Sequence, residues 1–247
     1  MRASALEFRL RMAINTAIIL LGFWSPWIEW LGIGRRISLV EWLALDLSRS
    51  GKMSFAVATA AVIIVAALFA LTSVLFRVCG TAYLGPATVS GRRMVGGKVI
   101  ADGPYRFVRN PLYIGVWCMV AALAFLMPVT GAIFAVVLVT IFLIRLTLGE
   151  ESFLRAQLGE PYLAYLRAVP RFIPRLRGAL APAGEKPHWL RAFLAEFTPI
   201  GVLVAIVIYS RDYDLALSGR IILVFFGVSL VARAFMPGAL FNSAPAK

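Results

Sequence analysis

Apolar runs begin near Met12, Met53, Leu112, Thr130, Leu190 and Arg220, and each continues far enough to cross about 30 Å of hydrocarbon at about 1.5 Å per residue. A chain of this kind must satisfy its backbone N–H and C=O groups internally, which selects helices. A hydrophobic content of 61% over 247 residues and a mean hydropathy of +0.85 agree. The expectation is an all-α polytopic membrane protein of about six transmembrane helices. The first run ends in Trp24, Trp27 and Trp30, and the second extends from Met53 to Phe76. Leu112 to Met127 and Gly131 to Leu148 are separated only by Pro128, Val129 and Thr130, which demands a tight antiparallel hairpin. The last two runs, Leu190 to Tyr209 and Arg220 to Phe235, are joined by the polar turn Arg211-Asp212-Tyr213-Asp214.

Arg2, Arg9 and Arg11 ahead of an apolar stretch imitate a signal peptide, but Trp24, Pro26 and Trp27 stand where small cleavage-site residues belong, so the first helix is expected to be retained. Alternate loops then sort by charge. Arg2, Arg9 and Arg11, then Arg77, Arg92, Arg93, Lys98, Arg106 and Arg109, then Arg145 through Arg191, then Arg233 and Lys247 share one face, which the positive-inside rule makes cytoplasmic. The other face holds Arg35, Arg36, Arg49, Lys52, Arg211 and Arg220. The net charge of +13 is accounted for by topology and anionic lipid, and no nucleic-acid motif interrupts the helices.

Cys79 and Cys118 lack the spacing of a metal site or a disulfide framework and read as small packing residues, and His188 reads as an interfacial histidine beside Trp189. A zinc enzyme and a histidine-based triad are excluded for want of residues. The polar spending of the chain is concentrated in two blocks on the basic face, Gly103 to Gly115 and Glu150 to Pro174, with one hairpin between them. Charge beside a bilayer is costly unless paired or used, so two such blocks on one face suggest a shared site.

The first block lies at the end of a stretch from Arg77 to Pro111 that reads as a loop rich in turn formers, Gly80, Gly85-Pro86, Gly91, Gly96-Gly97 and Gly103-Pro104. Asn110-Pro111 reads as an N-cap followed by the first turn of a transmembrane helix. The N–H groups there, with Arg106 and Arg109 just upstream, form either an anion pocket walled by Tyr105, Phe107 and Tyr113 or a capped helix with snorkelling arginines. In the second block Phe153, Leu154, Leu158, Tyr162, Tyr165, Leu166 and Val169 share one face, as in a surface amphipathic helix broken at Gly159-Glu160-Pro161. Glu150 and Glu151 point about 100° apart on a helix, so one can pair with Arg155 while the other faces inward. The inward carboxylate can attract a cation, accept from hydroxyls, or neutralise Arg106 or Arg109.

Together the blocks resemble the isoprenylcysteine carboxyl methyltransferase family and its bacterial and phospholipid N-methyltransferase relatives. The resemblance rests on Gly103, Pro104, Tyr105, Arg109, Pro111, Tyr113 and Gly115 before the hairpin, and on Glu150, Glu151, Gly159, Tyr162, Tyr165, Pro170, Arg171 and Pro174 after it. It covers about Gly96 to Pro174. It implies methyl transfer from S-adenosylmethionine, bound at the cytoplasmic face, to a lipophilic acceptor entering from the bilayer. By that analogy Arg109, Asn110, Tyr113 and Gly115 line the cofactor's methionine end, with Tyr105 and Arg106 beside them. Glu150 and Glu151 serve its ribose or ammonium end, and Tyr162, Tyr165 and Arg171 close a lid. Arg109, Glu150 and Arg171 are the residues assigned to catalysis, and no metal is implied.

The family often has histidine where this chain has Asn110, which cannot titrate near neutral pH, so a general base at that position is in doubt. The C-terminal pair of spans is a second departure. The resemblance places the protein in a bacterial-type inner membrane with both termini and the site cytoplasmic. It divides the chain into N-terminal helices with a periplasmic connection (1–76), a methyltransferase core (77–177) and a C-terminal hairpin (178–247). The acceptor is left open among a prenylated thiol or carboxylate, a phospholipid amine and a small volatile thiol. The competing readings are a sterol-type NADPH-dependent membrane reductase and a non-enzymatic scaffold or transporter. A transporter would place polar or broken helices near the midplane, where the spans offer only Asn15, Thr16, Thr59, Thr72, Ser73 and Ser229.

Overall fold

The computed structural model describes residues 3–25, 37–51, 53–85, 89, 99–175, 180–181 and 183–235. Pro26, Trp27, Trp30, Arg2, Arg35, Arg36, Lys52, Pro86, Gly91, Arg92, Arg93, Gly96, Gly97, Lys98 and Lys247, which entered the reading above, lie outside them. Among the described residues the protein is all-α, with one isolated bridge, Ser38 to Pro128, and no strand. The helices are α1 (Ala5–Arg9), α2 (Arg11–Trp24), α3 (Leu39–Arg49), α4 (Phe55–Leu84), α5 (Pro111–Ala124), α6 (Val129–Leu158), α7 (Glu160–Ala168), α8 (Trp189–Ala195), α9 (Phe197–Asp212) and α10 (Leu215–Phe235), with a 3₁₀ turn at Gly103–Arg106.

Among the described residues three helices are long and apolar enough to cross a membrane by themselves: Phe55–Leu84, Val129–Leu158 and Leu215–Ala232. The pair α8 and α9, bent by 63° at Glu196, reaches that length and hydropathy only when taken together as one broken span. The remaining apolar helices, α2 and α5, have 14 residues each, about 21 Å of rise, shorter than a full hydrocarbon core. Six apolar runs therefore become three helices of spanning length, one bent pair and two short helices among the described residues. Large apolar side chains such as Ile64 and Leu68 on α4, Ile133 and Ile141 on α6 and Leu223 and Val231 on α10 point outward, as lipid-facing surfaces do.

Two boundaries differ from the sequence expectation. Residues Arg77 to Leu84 continue α4 as helix where a loop was expected, because Arg77 and Thr81 find a carboxylate partner that a sequence window cannot see. Similarly, α6 runs unbroken through Glu150 and Glu151 to Leu158, so the glutamates ride on the hairpin itself and only α7 is a separate surface helix. The break falls at Gly159, whose φ of +59° strains any residue with a Cβ. The amphipathic helix α3 went unread in the sequence, although Ser38 and Glu41 have the spacing of a capping box. That box starts it, Val40 and Ala44 are its buried residues, and it packs chiefly on α4.

The hairpin α5–α6 is the centre. Its far end is tied to α3 by Leu39 N–H to Met127 O (2.8 Å) and Val40 N–H to Phe125 O (3.0 Å). At its other, basic end Ala3 N–H reaches Arg145 O (3.0 Å), and Glu7 accepts from Arg145 Nε (3.1 Å) and Nη2 (2.9 Å). α2 lies along α6 so closely that a Cβ at Gly131 would overlap the Gly22 carbonyl. Gly131→Ala is therefore expected to push α2 away and lower stability by about 1–3 kcal/mol, read as a lower thermal midpoint in detergent, whereas Gly219→Ala, which has open space, leaves it unchanged.

Candidate functional site

Gly103, Pro104, Tyr105 and Arg106 form the 3₁₀ turn, Pro111 begins α5, and α6 delivers Glu150 and Glu151 to the same end of the bundle. The two sequence blocks thus meet. Glu151, 4% exposed, holds three hydrogen bonds from two arginines: Arg109 Nη1 to Oε1 at 2.9 Å, Arg171 Nε to Oε1 at 3.0 Å and Arg171 Nη2 to Oε2 at 2.7 Å. This differs from the expected helical pairing with Arg155, which is exposed, because the bidentate fork of Arg171 matches a carboxylate better than a flexible i,i+4 contact does. The Arg171 guanidinium is pushed above its usual pKa, first by those hydrogen bonds to Glu151.

Glu150 faces elsewhere. The Tyr113 hydroxyl donates to its Oε2 at 2.8 Å. Arg11 of α2 is buried in the same neighbourhood, held by the carbonyls of Phe8 (2.9 Å) and Val89 (2.8 Å), near enough for the Glu150 carboxyl to act on it. Gly115 lies two residues further along α5 on the α4 side, where a Cβ would stand 2.6 Å from Arg77 Cγ. Ser73 Oγ donates to Gly115 O at 2.7 Å, clamping α4 against α5.

Residues 169–175, 180–181 and 183–188 lie over this end as a strap. Arg109 N–H donates to Pro170 O and Arg175 N–H to Phe107 O, both at 2.9 Å. Asn110 occupies the N-cap position without capping: its amide turns outward and donates to Arg171 O at 3.2 Å. Arg106 likewise reaches the strap, at Leu180 O. Tyr162, Tyr165 and Val169 form a small apolar cluster with Leu154, Leu158 and Val99, and Tyr165 OH donates to Tyr105 O at 2.8 Å. Burial pushes the Tyr162 phenol up to about 12, moves Tyr165 in the same direction and holds Tyr105 well above its ordinary value, so all three stay neutral hydrogen-bonding walls.

Three participants escaped the sequence reading. Asp102 accepts from Ala183 N–H (2.8 Å) and Glu185 N–H (3.0 Å), anchoring the strap. Arg11 was read only as a topology marker. Glu196, 1% exposed, accepts from Arg77 Nε (2.8 Å), Arg77 Nη2 (2.8 Å) and Thr81 Oγ1 (2.7 Å). Its signal was available: an acid inside the fifth apolar run is costly unless partnered. Cys118 is buried and Cys79 half-buried, both free thiols, and the exposed His188 only donates its backbone N–H to Ala82 O. No group of three metal-ligating side chains exists among the described residues.

Residues 55–160 match the phospholipid methyltransferase family. The core of this chain, from α4 to the start of α7, is similar to the membrane methyltransferases. Protein-S-isoprenylcysteine O-methyltransferase B of Arabidopsis thaliana is 31% identical over 85 residues, which is 34% of this chain and 43% of that protein. The chain therefore matches under half the length of this curated relative. No solved structure matches. The family match contains Arg109, Tyr113, Glu150 and Glu151 and leaves out Arg11, Arg171 and Glu196, which surround them.

Glu151→Ala leaves two guanidinium groups without their acceptor, one of them Arg109 at 14% side-chain exposure, and is expected to cost about 3 kcal/mol in unfolding experiments in detergent. The strap should show its own pH dependence. The N–H of Glu185, ahead of those of Ala183 and Gly184, holds the Asp102 carboxyl below the usual range, so the tie is complete above the ordinary carboxylate pKa and lost as pH falls through the lowered value. Hydrogen exchange at Ala183 and Glu185 is expected to stay slow at neutral pH in the wild type, to quicken only in strong acid after correction for the intrinsic rate, and to be fast throughout in Asp102→Asn.

Proposed function

We propose that the protein is an S-adenosylmethionine-dependent methyltransferase acting on a lipophilic acceptor. The observation that carries this reading is Glu150 with Tyr113 on its Oε2, set beside the Glu151 triad inside the segment similar to the membrane methyltransferases. The residues fit such a cofactor on a separate ground: Arg109 Nε is buried without a partner, an omission costing about 1–3 kcal/mol that a ligand carboxylate or hydroxyl would remove.

The bound cofactor supplies an electrophilic methyl group on a positively charged sulfur. Glu150 then offers negative charge to a cationic ligand, with Tyr113 fixing its rotamer. Arg109 divides its guanidinium between Glu151 and the ligand. Glu151 and Arg171 hold the strap over the site, while Tyr105, Tyr162 and Tyr165 exclude water. Arg106 and Asn110 fasten the strap from below, and Gly115 lets Arg77 pack close. Because positive charge disappears from the donor as the methyl leaves, alignment and dryness suffice and no titrating base is required at Asn110.

The acceptor class follows from the relatives: an isoprenylcysteine-like carboxylate or thiol, or a phospholipid amine, entering from the bilayer. By the positive-inside rule the basic end with its site, and both termini, face the cytoplasm of a bacterial-type plasma membrane. Residues 77–177 form the methyltransferase core, flanked by the helices of 1–76 and the hairpin of 178–247.

Calorimetry on the purified protein in detergent tests this directly. Micromolar binding of S-adenosylmethionine and S-adenosylhomocysteine is expected, weakened at least tenfold in Arg109→Ala and Glu150→Ala. Absence of binding by the folded wild type, or preferential binding of NADPH, would overturn the assignment. Tyr113→Phe, which removes a single hydrogen bond of about 1 kcal/mol, is expected to weaken binding by about fivefold.

A further inference from the structure

Glu196 lies at the 63° bend between α8 and α9, in the C-terminal part of the chain outside the family match. A carboxylate at a helix break, 1% exposed and saturated by three hydrogen bonds, does more than join two helices. Its partner Arg77 is 13% exposed, and its stem fills the space over Gly115, two residues along α5 from Tyr113. The Tyr105 hydroxyl donates to Gly80 O, one turn past Arg77, and Glu150, Arg77 and Glu196 are all near enough to act on its phenol. Arg11 in turn feels both Glu150 and Arg77. Besides the Glu151 triad, two arginines, Arg11 and Arg77, and two acidic side chains, Glu150 and Glu196, therefore stand around Tyr105 and Tyr113.

We propose that Glu196 is a positioning residue of the cofactor site: by pairing with Arg77 it cancels the charge of that guanidinium beside Gly115 and Tyr113, and so leaves the site open to a cationic ligand. The inference rests on the S-adenosylmethionine reading and gives the C-terminal hairpin a part in it. With Glu196 neutralised, Arg77 becomes an uncompensated positive charge in a site of low dielectric, where unit charges interact far more strongly than in water. A ligand carrying a sulfonium is then repelled, whereas its thioether product, identical except for the methyl group and that charge, is not.

The test is the ratio of S-adenosylmethionine to S-adenosylhomocysteine affinity, measured by calorimetry on the full chain in detergent. Glu196→Gln, whose amide oxygen still accepts from Thr81 and Arg77, is expected to lower that ratio about tenfold. Arg77→Met/Glu196→Met, which removes both charges and keeps apolar bulk, is expected to return it to the wild-type value. Arg77→Met alone carries the opposite sign and raises it, which keeps the comparison available if Glu196→Gln is not recovered folded. Affinities that fall together at a constant ratio, or do not change, would reduce the pair to a clamp between α4 and the C-terminal hairpin and overturn the proposal while leaving the methyltransferase reading intact. Binding of neither ligand by the wild type would overturn both.

Discussion

Glu151 cannot be buried alone. A carboxylate taken from water into the top of a helical hairpin is tolerated only when its oxygens are saturated, and here two arginines from distant parts of the chain do this. Arg109 arrives from the segment that starts α5 and Arg171 from the strap beyond α7. Once both are committed, the 3₁₀ turn, the hairpin and the strap are fixed relative to one another. Tyr165 on the Tyr105 carbonyl and the backbone bonds at Pro170 and Arg175 then close the same end without further choice. Glu150, one residue earlier, is turned about 100° away by the helix and is left to Tyr113.

The same logic recurs at lower cost elsewhere. Glu196 draws Arg77 and Thr81 onto the bend of α8 and α9, and Glu7 draws Arg145 onto α1. In each case an element outside the family-matched segment is attached to it by an acid–arginine pair at the basic end, while the apolar lengths of the helices supply the rest of the packing. Lipid offers little hydrophobic reason for helices to associate, so close approach at small residues and polar ties must decide which faces meet. Gly22 against Gly131, Gly115 against Arg77 and Gly201 against Phe225 are such close approaches. The ion pairs are the ties.

Much of this was legible beforehand, and the parts that were not share a cause. The helical class, the hairpin, the break at Gly159 and the meeting of the two polar blocks follow from hydropathy and spacing, which are local. The full count of crossings does not, because α2 and α5 are as apolar as the others but shorter, and α8–α9 is one run with a bend that only Glu196 betrays. Spacing offers Arg155 to one of the two glutamates and Arg109 to a carboxylate at the hairpin end; Glu151 takes Arg109 and also Arg171, twenty residues on, which helical spacing cannot rank.

Sequence alone determined that this chain forms membrane helices, which end carries its charge, and that Arg109, Glu150, Glu151 and Arg171 belong to one neighbourhood. Tertiary structure decided that Glu151 takes two arginines and Glu150 a tyrosine, that Asn110 fastens a strap instead of capping a helix, and that Arg11 and Glu196 pack against the family-matched segment from either side of it. The reason is physical. Hydropathy and helical periodicity are properties of a few consecutive residues, but the cost of a buried charge is set by whatever the fold brings within about 3 Å of it.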